Sequence, residues 1–354
     1  MAKHDWPGSL PFSMLRAESD PVRHLMLLQR CFDGREMRWS DALIVRTRRH
    51  IGGSLSAVEI ALRLEMERLQ PESSAMFRNV GDYCCWNRVE RDPVLLSAEL
   101  LSHLRDRAAI SLMQNDLAPA GLGDADSAPG YVFSPDIEEA LSTIRLAQIS
   151  WADMGPDQSP MRTDLLAEVM PDLIWTAVAI LTDALVRAGL EPTRQVLAWA
   201  DQAGQALLAR YDEQNTPFVQ SALLAHRLRA IPLGDDAILQ LARGRHIIPL
   251  LAIMADRTGI DLNMVIRAVV EGSEQMLFIL CRAAEFSREA AVRLVLGRKG
   301  VVRGVDDSML VDLADSYDLM SPSEASDAVL WLRVAQPLRA KLALVRGDEA
   351  RDGH

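Results

Sequence analysis

Five times in this chain a proline follows a residue able to cap a helix: Asp20-Pro21, Asp92-Pro93, Ser134-Pro135, Thr216-Pro217 and Ser321-Pro322. The capping oxygen accepts from an amide that the first helical turn leaves orphaned. Proline at the next position gives up a donor the helix would not have used. Ser56 with Glu59, and Ser321 with Glu324, have the spacing of a capping box. Ala, Leu, Arg and Glu fill the segments between these starts, and the Val/Ile alternation of strands is nearly absent. These signals predict an all-α, multi-helical fold. The composition, 49% hydrophobic with only 5% aromatic, suits helices packed on helices.

A second pattern constrains the C-terminal half. LAIMADRTGIDLNMVIRAVVEG from Leu251 lies over LFILCRAAEFSREAAVRLVLGR from Leu277, with Ile260 on Phe286, Asp261 on Ser287 and Arg267 on Arg293. An earlier copy starts at Leu224, with Leu233 in the Ile260 position. A later copy starts at Val311, with Ser321 at the cap. Few residues are identical; what recurs is a short apolar helix, an apolar residue, a cap and a second apolar helix. This pattern predicts stacked helix pairs, a HEAT-like repeat array.

Three stretches, PMRTDLLAEVMPDLIWTAVAILTDAL (160–185), the segment from Asp256-Arg257 to Arg267, and CRAAEFSREAAVRLVL (281–296), resemble a bacterial family known as a domain of unknown function with HEAT-like helical repeats. The resemblance spans roughly 160–300. It implies a helical-repeat fold and a binding role, and it carries no reaction.

Breaks in the apolar period divide the chain. Residues 118–134 are rich in Gly, Ala, Pro and Asp, and a second loop covers 153–161. The expected regions are an N-terminal helical one (20–117), an acidic middle one (134–220) and a C-terminal repeat region (221–345), with frayed ends at 1–19 and 346–354. The net charge of −11 is uneven: Lys+Arg against Asp+Glu is 16 to 15 over 1–110, 5 to 16 over 111–222, and 17 to 18 over 223–354. No region has the basic excess usual in a nucleic-acid-binding domain, so nucleic acid is disfavoured as a partner. The first residues lack an apolar signal core, and Leu173–Val186 is too short and too interrupted to span a bilayer. Four cysteines make no disulfide framework. The expectation is a cytoplasmic protein with no membrane contact.

Candidate binding residues fall in two clusters. RTRRHIGGSLS (46–56) joins Arg46, Arg48 and Arg49 to a histidine, two glycines and a cap-type serine, the chain's best small-anion candidate. It lacks phosphate-loop spacing; the simpler reading is the basic end of one helix, a Gly-Gly turn and the next helix's cap. The second cluster follows the helix at 287–297. That helix at first looks like a DNA reader, but Ala290, Ala291, Val292, Leu294, Val295 and Leu296 cover most of its circumference. Only Glu289, Arg293 and Gly297 face outward, so it reads as core. Arg293, Arg298, Lys299 and Arg303 then form a basic tail, stopped by Gly297 and Gly300. That tail is a candidate dock for an acidic partner, the middle region of the same chain included.

Adjacent Cys84 and Cys85 have no CxxC or histidine set beside them to complete a zinc site, so they are expected in the core. GLGDADS (121–127) reads as linker. No catalytic constellation, cofactor or metal site emerges. The expected role is a non-enzymatic adaptor or regulator that binds another protein; a nucleic-acid-associated regulator or a small-ligand sensor are the alternatives.

Overall fold

The computed structural model describes residues 24–25, 27–33, 39–71, 77–116, 131–188, 193–231, 233–304, 307–334, 338–339 and 341. The expected linker through 117–130, GLGDADS included, the cap at Asp20-Pro21 and both chain ends lie outside them. Among the described residues the fold is all-α, with fourteen helices and no strand.

Helix α1 (Asp41–Leu69) is the axis of the N-terminal half. Ser40 caps it, its side chain accepting from the Leu43 amide at 3.0 Å. Ile51, Leu55, Val58, Leu62 and Met66 recur every three to four residues, Leu43 lies about two turns before them, and all are buried. Around α1 pack α2 (Cys84–Arg91), α3 (Ala98–Asp116), α5 (Met170–Arg187) and α6 (Thr193–Arg210). Helix α4 (Pro135–Gln148) leads into the 151–162 loop and packs on α7 (Pro217–Leu228).

The proline-marked starts are mostly where the sequence places them. Thr216 caps α7, accepting from the Val219 amide. Ser134 precedes α4, but its hydroxyl bonds the Asp136 carboxylate instead of an amide. Asp92-Pro93 opens a single 3-10 turn. Ser56 and Glu59 do not start a helix: both lie inside α1, which runs unbroken through Gly52-Gly53. The expected Gly-Gly turn is absent because the glycines serve packing, as shown below.

The C-terminal half continues with α8 (Asp235–Arg243), α9 (Ile247–Thr258), α10 (Leu262–Glu271), α11 (Glu274–Ala283), α12 (Arg288–Gly297), α13 (Asp307–Ser316) and α14 (Pro322–Ala328). The aligned turns share chemistry. Gly259 (φ 66°) and Glu285 (φ 56°) take the left-handed conformation that ends α9 and α11. Ile260 and Phe286 follow and are buried. Asp261 then caps Asn263 and Met264, and Ser287 caps Ala290. Ser321 forms a full capping box with Glu324 at the start of α14. The earliest copy departs: Gly234 follows Leu233 and supplies no side-chain cap.

Arginines at or near the ends of α7, α9 and α11 tie these helices to later segments. Arg229 bonds Asp256 at 2.6 and 2.7 Å. Arg257 donates to the carbonyls of Leu233 and Ala284 and lies over the Phe286 ring. Arg282 donates to the Met320 carbonyl and lies over Tyr317.

The two halves are joined by buried charge. Arg105 of α3 is fully buried, lies over the Trp39 ring, and pairs with Asp106 and with Glu271 of α10. Desolvation raises Asp106 above the usual carboxylate range, and Arg105 partly offsets the rise.

Candidate functional site

The 46–56 cluster faces inward. Arg46 donates to the Trp151 carbonyl at 2.9 Å, and Arg49 to the Ser159 carbonyl at 2.7 Å and the Asp153 carboxylate at 2.6 Å. Both guanidinium groups are buried, 4% and 3% exposed, so they are spent on the 151–162 loop. Gly53 accepts from the Met161 amide at 2.9 Å, and the loop backbone lies directly on Gly52. Beneath it, Arg107 bonds His50 Nδ1 at 3.0 Å and the Ser54 hydroxyl at 2.9 Å, while Trp151 Nε1 donates to Asp164 at 3.2 Å. Burial, with the Arg107 charge adding to it, holds His50 well below its usual value. Arg48 alone of the three arginines is half-exposed, and it pairs with Glu90 at 2.6 Å and stacks near Trp86. The three arginines thus bond the protein's own groups: Arg46 and Arg49 the carbonyls and a carboxylate of the 151–162 loop, Arg48 the Glu90 carboxylate.

The basic tail is accounted for in the same way. Arg298 was expected to be exposed; it is 2% exposed, donates to the Gly272 carbonyl at 2.6 Å and approaches Glu274 at 3.8 Å. Gly297, expected outward, is buried, because the chain continues past it into a 3-10 turn at 298–300. Lys299 is exposed and pairs with Asp307 at 2.5 Å; Arg303 pairs with Asp41, and Arg293 with Glu289 at 3.1 Å on its own helix. These pairs join the tail to the start of α1, to α13 and to the Gly272–Glu274 segment, and none of them reaches the acidic middle region. Helix α12 is core as expected, with Ala290, Ala291, Leu294 and Val295 buried.

The surface that stands out was not singled out from sequence. Helices α5 and α6 pack as an antiparallel pair, and a groove of about 490 Å3 runs along their outer side. On α5, Trp175, Val178, Ala179, Thr182 and Val186 share one face at spacings of three and four. Leu197 and Ala200 line it from α6, with Leu197 53% exposed. Gly204 lets the helices close on Trp175, since a Cβ there would meet the indole Cζ3 at 2.8 Å. Asp183 and Asp201 stand at the two rims. Asp183 pairs with Arg187 at 3.0 Å; Asp201 has no ion pair among the described residues. The Thr182 hydroxyl is buried against the groove with no hydrogen-bond partner. The sequence shows 173–186 as an interrupted apolar segment, and nothing local in it says that part of the segment lacks a neighbour.

Cys84 and Cys85 open α2. Cys85 is buried as expected, while Cys84 is half-buried. Their donor atoms and the Glu59 carboxylate lie within 4.8 Å of one another. No helix among the described residues is long and apolar enough to cross a membrane.

Residues 160–329 match the model of a family described as an uncharacterised protein conserved in bacteria (DUF2336). The match starts where the sequence resemblance starts and runs further, through α14. It crosses the expected boundary at 220 and takes in both helices of the groove. No curated protein and no solved structure matches the chain.

Proposed function

We propose that this chain, whose residues 160–329 match the model of that uncharacterised bacterial family, is a non-enzymatic adaptor that binds a basic amphipathic helix of a partner protein. The groove between α5 and α6 carries the reading. Its floor is apolar at helical spacing, as a helix-in-groove interface requires of both sides. Its rims carry Asp183 and Asp201, and the sequence segment 111–222 that contains both helices holds 16 Asp+Glu against 5 Lys+Arg. A partner helix with Leu- or Phe-type anchors at i, i+3 or i+4, and i+7 would fill the floor. Flanking Lys or Arg would meet Asp183 and Asp201.

The repeated turn and the arginine ties from Arg229, Arg257 and Arg282 support the HEAT-like reading of the following helix pairs, a rigid array behind the groove.

A photo-cross-linking side chain at position 179, an exposed residue lining the groove, used in a lysate of the native host, tests this. The expected product is a single protein joined through a Lys/Arg-rich helical segment. Its capture fails with Leu197→Asp and persists with Leu319→Asp, a control on an exposed leucine of the 3-10 turn after α13. A product joined through an acidic segment or a nucleic acid, or capture equal in both variants, overturns the proposal.

A further inference from the structure

The feature left over is the thiol pair. Glu59 sits inside α1, 2% exposed, and its carboxylate meets the start of α2. Oε2 accepts from the Cys85 amide at 2.8 Å and Oε1 from the Cys84 amide at 3.2 Å. Arg63, one turn along α1, donates to Oε1 at 2.6 Å and lies 3.9 Å from Cys84 Sγ. Arg63 is itself held by the Gly81 carbonyl at 2.7 Å and stacks on the Phe77 ring. Just before the pair, Tyr83 takes a left-handed φ of 58°, unusual for an aromatic residue, and turns both cysteines back toward α1.

A carboxylate that merely capped α2 would need no sulfur beside it. Here two thiols and one carboxylate, from segments 25 residues apart in sequence, converge within 4.8 Å. Donors shared by one tetrahedral ion with bonds of about 2.0–2.3 Å lie roughly 3.5–3.8 Å apart, a side-chain rotation away.

We propose that Glu59, Cys84 and Cys85 form a binding site for a divalent thiophilic cation of the zinc class. The charge balance explains Arg63. Before binding, two neutral thiols and the Arg63–Glu59 pair sum to zero. Binding exchanges two thiol protons for one divalent ion, and two thiolates, one carboxylate, the ion and the guanidinium again sum to zero. The amide bonds to Glu59 orient the ligating carboxylate, as outer-shell donors do in metal sites. Half-buried Cys84 leaves the fourth position open to water or an added ligand.

Cadmium(II) is the probe, titrated into the metal-free full-length protein. The expected result is one ion per chain, a thiolate-to-cadmium charge-transfer band, displacement by zinc, and release of about two protons per ion at neutral pH. Cys84→Ser and Cys85→Ser each abolish the band, and Glu59→Gln weakens binding by about tenfold or more. If Glu59→Gln lowers helicity, the Cys84→Ser/Cys85→Ser double variant decides, because it leaves the cap intact. A band that persists in the double variant, or its absence from a wild-type chain folded by circular dichroism, overturns the proposal. Cys31 and Cys281, both buried, serve as internal controls.

Discussion

The carbonyl oxygen of Asp157 rests on the α-carbon of Gly52 in the middle of α1, where a methyl group would collide with it. Gly52→Ala therefore makes a helix with better intrinsic propensity and a worse protein. Propensity returns about 1 kcal/mol, while forcing the 151–162 loop away costs about 1–3 kcal/mol and frees the Arg49 and Arg46 contacts with it. Urea unfolding should show net destabilisation. A stabilised variant would mean that the loop does not lie on α1.

Arg298 and Lys299 are neighbours with opposite fates. Arg298→Glu puts an acid into a buried site beside the Gly272 carbonyl and Glu274, and should cost about 3–5 kcal/mol. Lys299→Glu removes an exposed pair with Asp307 and should stay within about 1 kcal/mol. Equal effects in chemical denaturation would contradict the burial of Arg298.

Acid weakens the fold in two steps. Burial pushes His103 down to about 3 and His246 down to about 4, and holds His50 well below 6.5. In the unfolded chain all three take up protons below pH 6.5, whereas the folded chain keeps them neutral. Stability is thus full above pH 6.5 and falls as pH drops toward the folded values, by about 1.4 kcal/mol per pH unit for each histidine. The urea midpoint should fall between pH 7.5 and 5.5, and His246→Gln should lessen that slope by about a third. A slope equal to wild type would show that His246 is protonated in the fold.

A carboxylate governs the lower range. Arg68, then Arg210 of α6, hold Glu65 down to about 2 from an ordinary 4.5. The stability it contributes is fully present above pH 4.5 and is lost as pH falls toward 2. The difference in urea midpoint between wild type and Glu65→Gln should be constant above pH 4.5 and shrink below it. A difference independent of pH would detach Glu65 from both arginines.

What the sequence made legible was local. Thr216, Asp261, Ser287 and Ser321 cap helices because a cap needs only the residue and its next few amides, and the pattern of α12 was enough to place it in the core. Contacts at long sequence separation were hidden. The Gly52-Gly53 pair looks like a turn unless the 151–162 loop is known to lie on it. Ser56 and Glu59 have capping-box spacing, yet Glu59 caps α2, 25 residues on. Arg298 looks exposed after a glycine, and only its distance from Gly272 in space makes it core. The α5–α6 groove was invisible for a related reason, since an apolar helical face reads alike whether or not something covers it.

The Ser40 hydroxyl bonds the carbonyl of Gly300, 260 residues later, beside the Ser40 amide bond to Val301 and the Trp39–Val302 bridge. This juncture sets an order of events on the ribosome. At about 5–20 residues per second, α1 waits roughly 13–50 s for the segment that secures its first turn. Glu59 meets the start of α2 after 25 residues and the inward arginines meet the 151–162 loop after 104–110, so the tail is the last of these partners to arrive. Helix α1, made early among the described helices, is thus among the last to be completed.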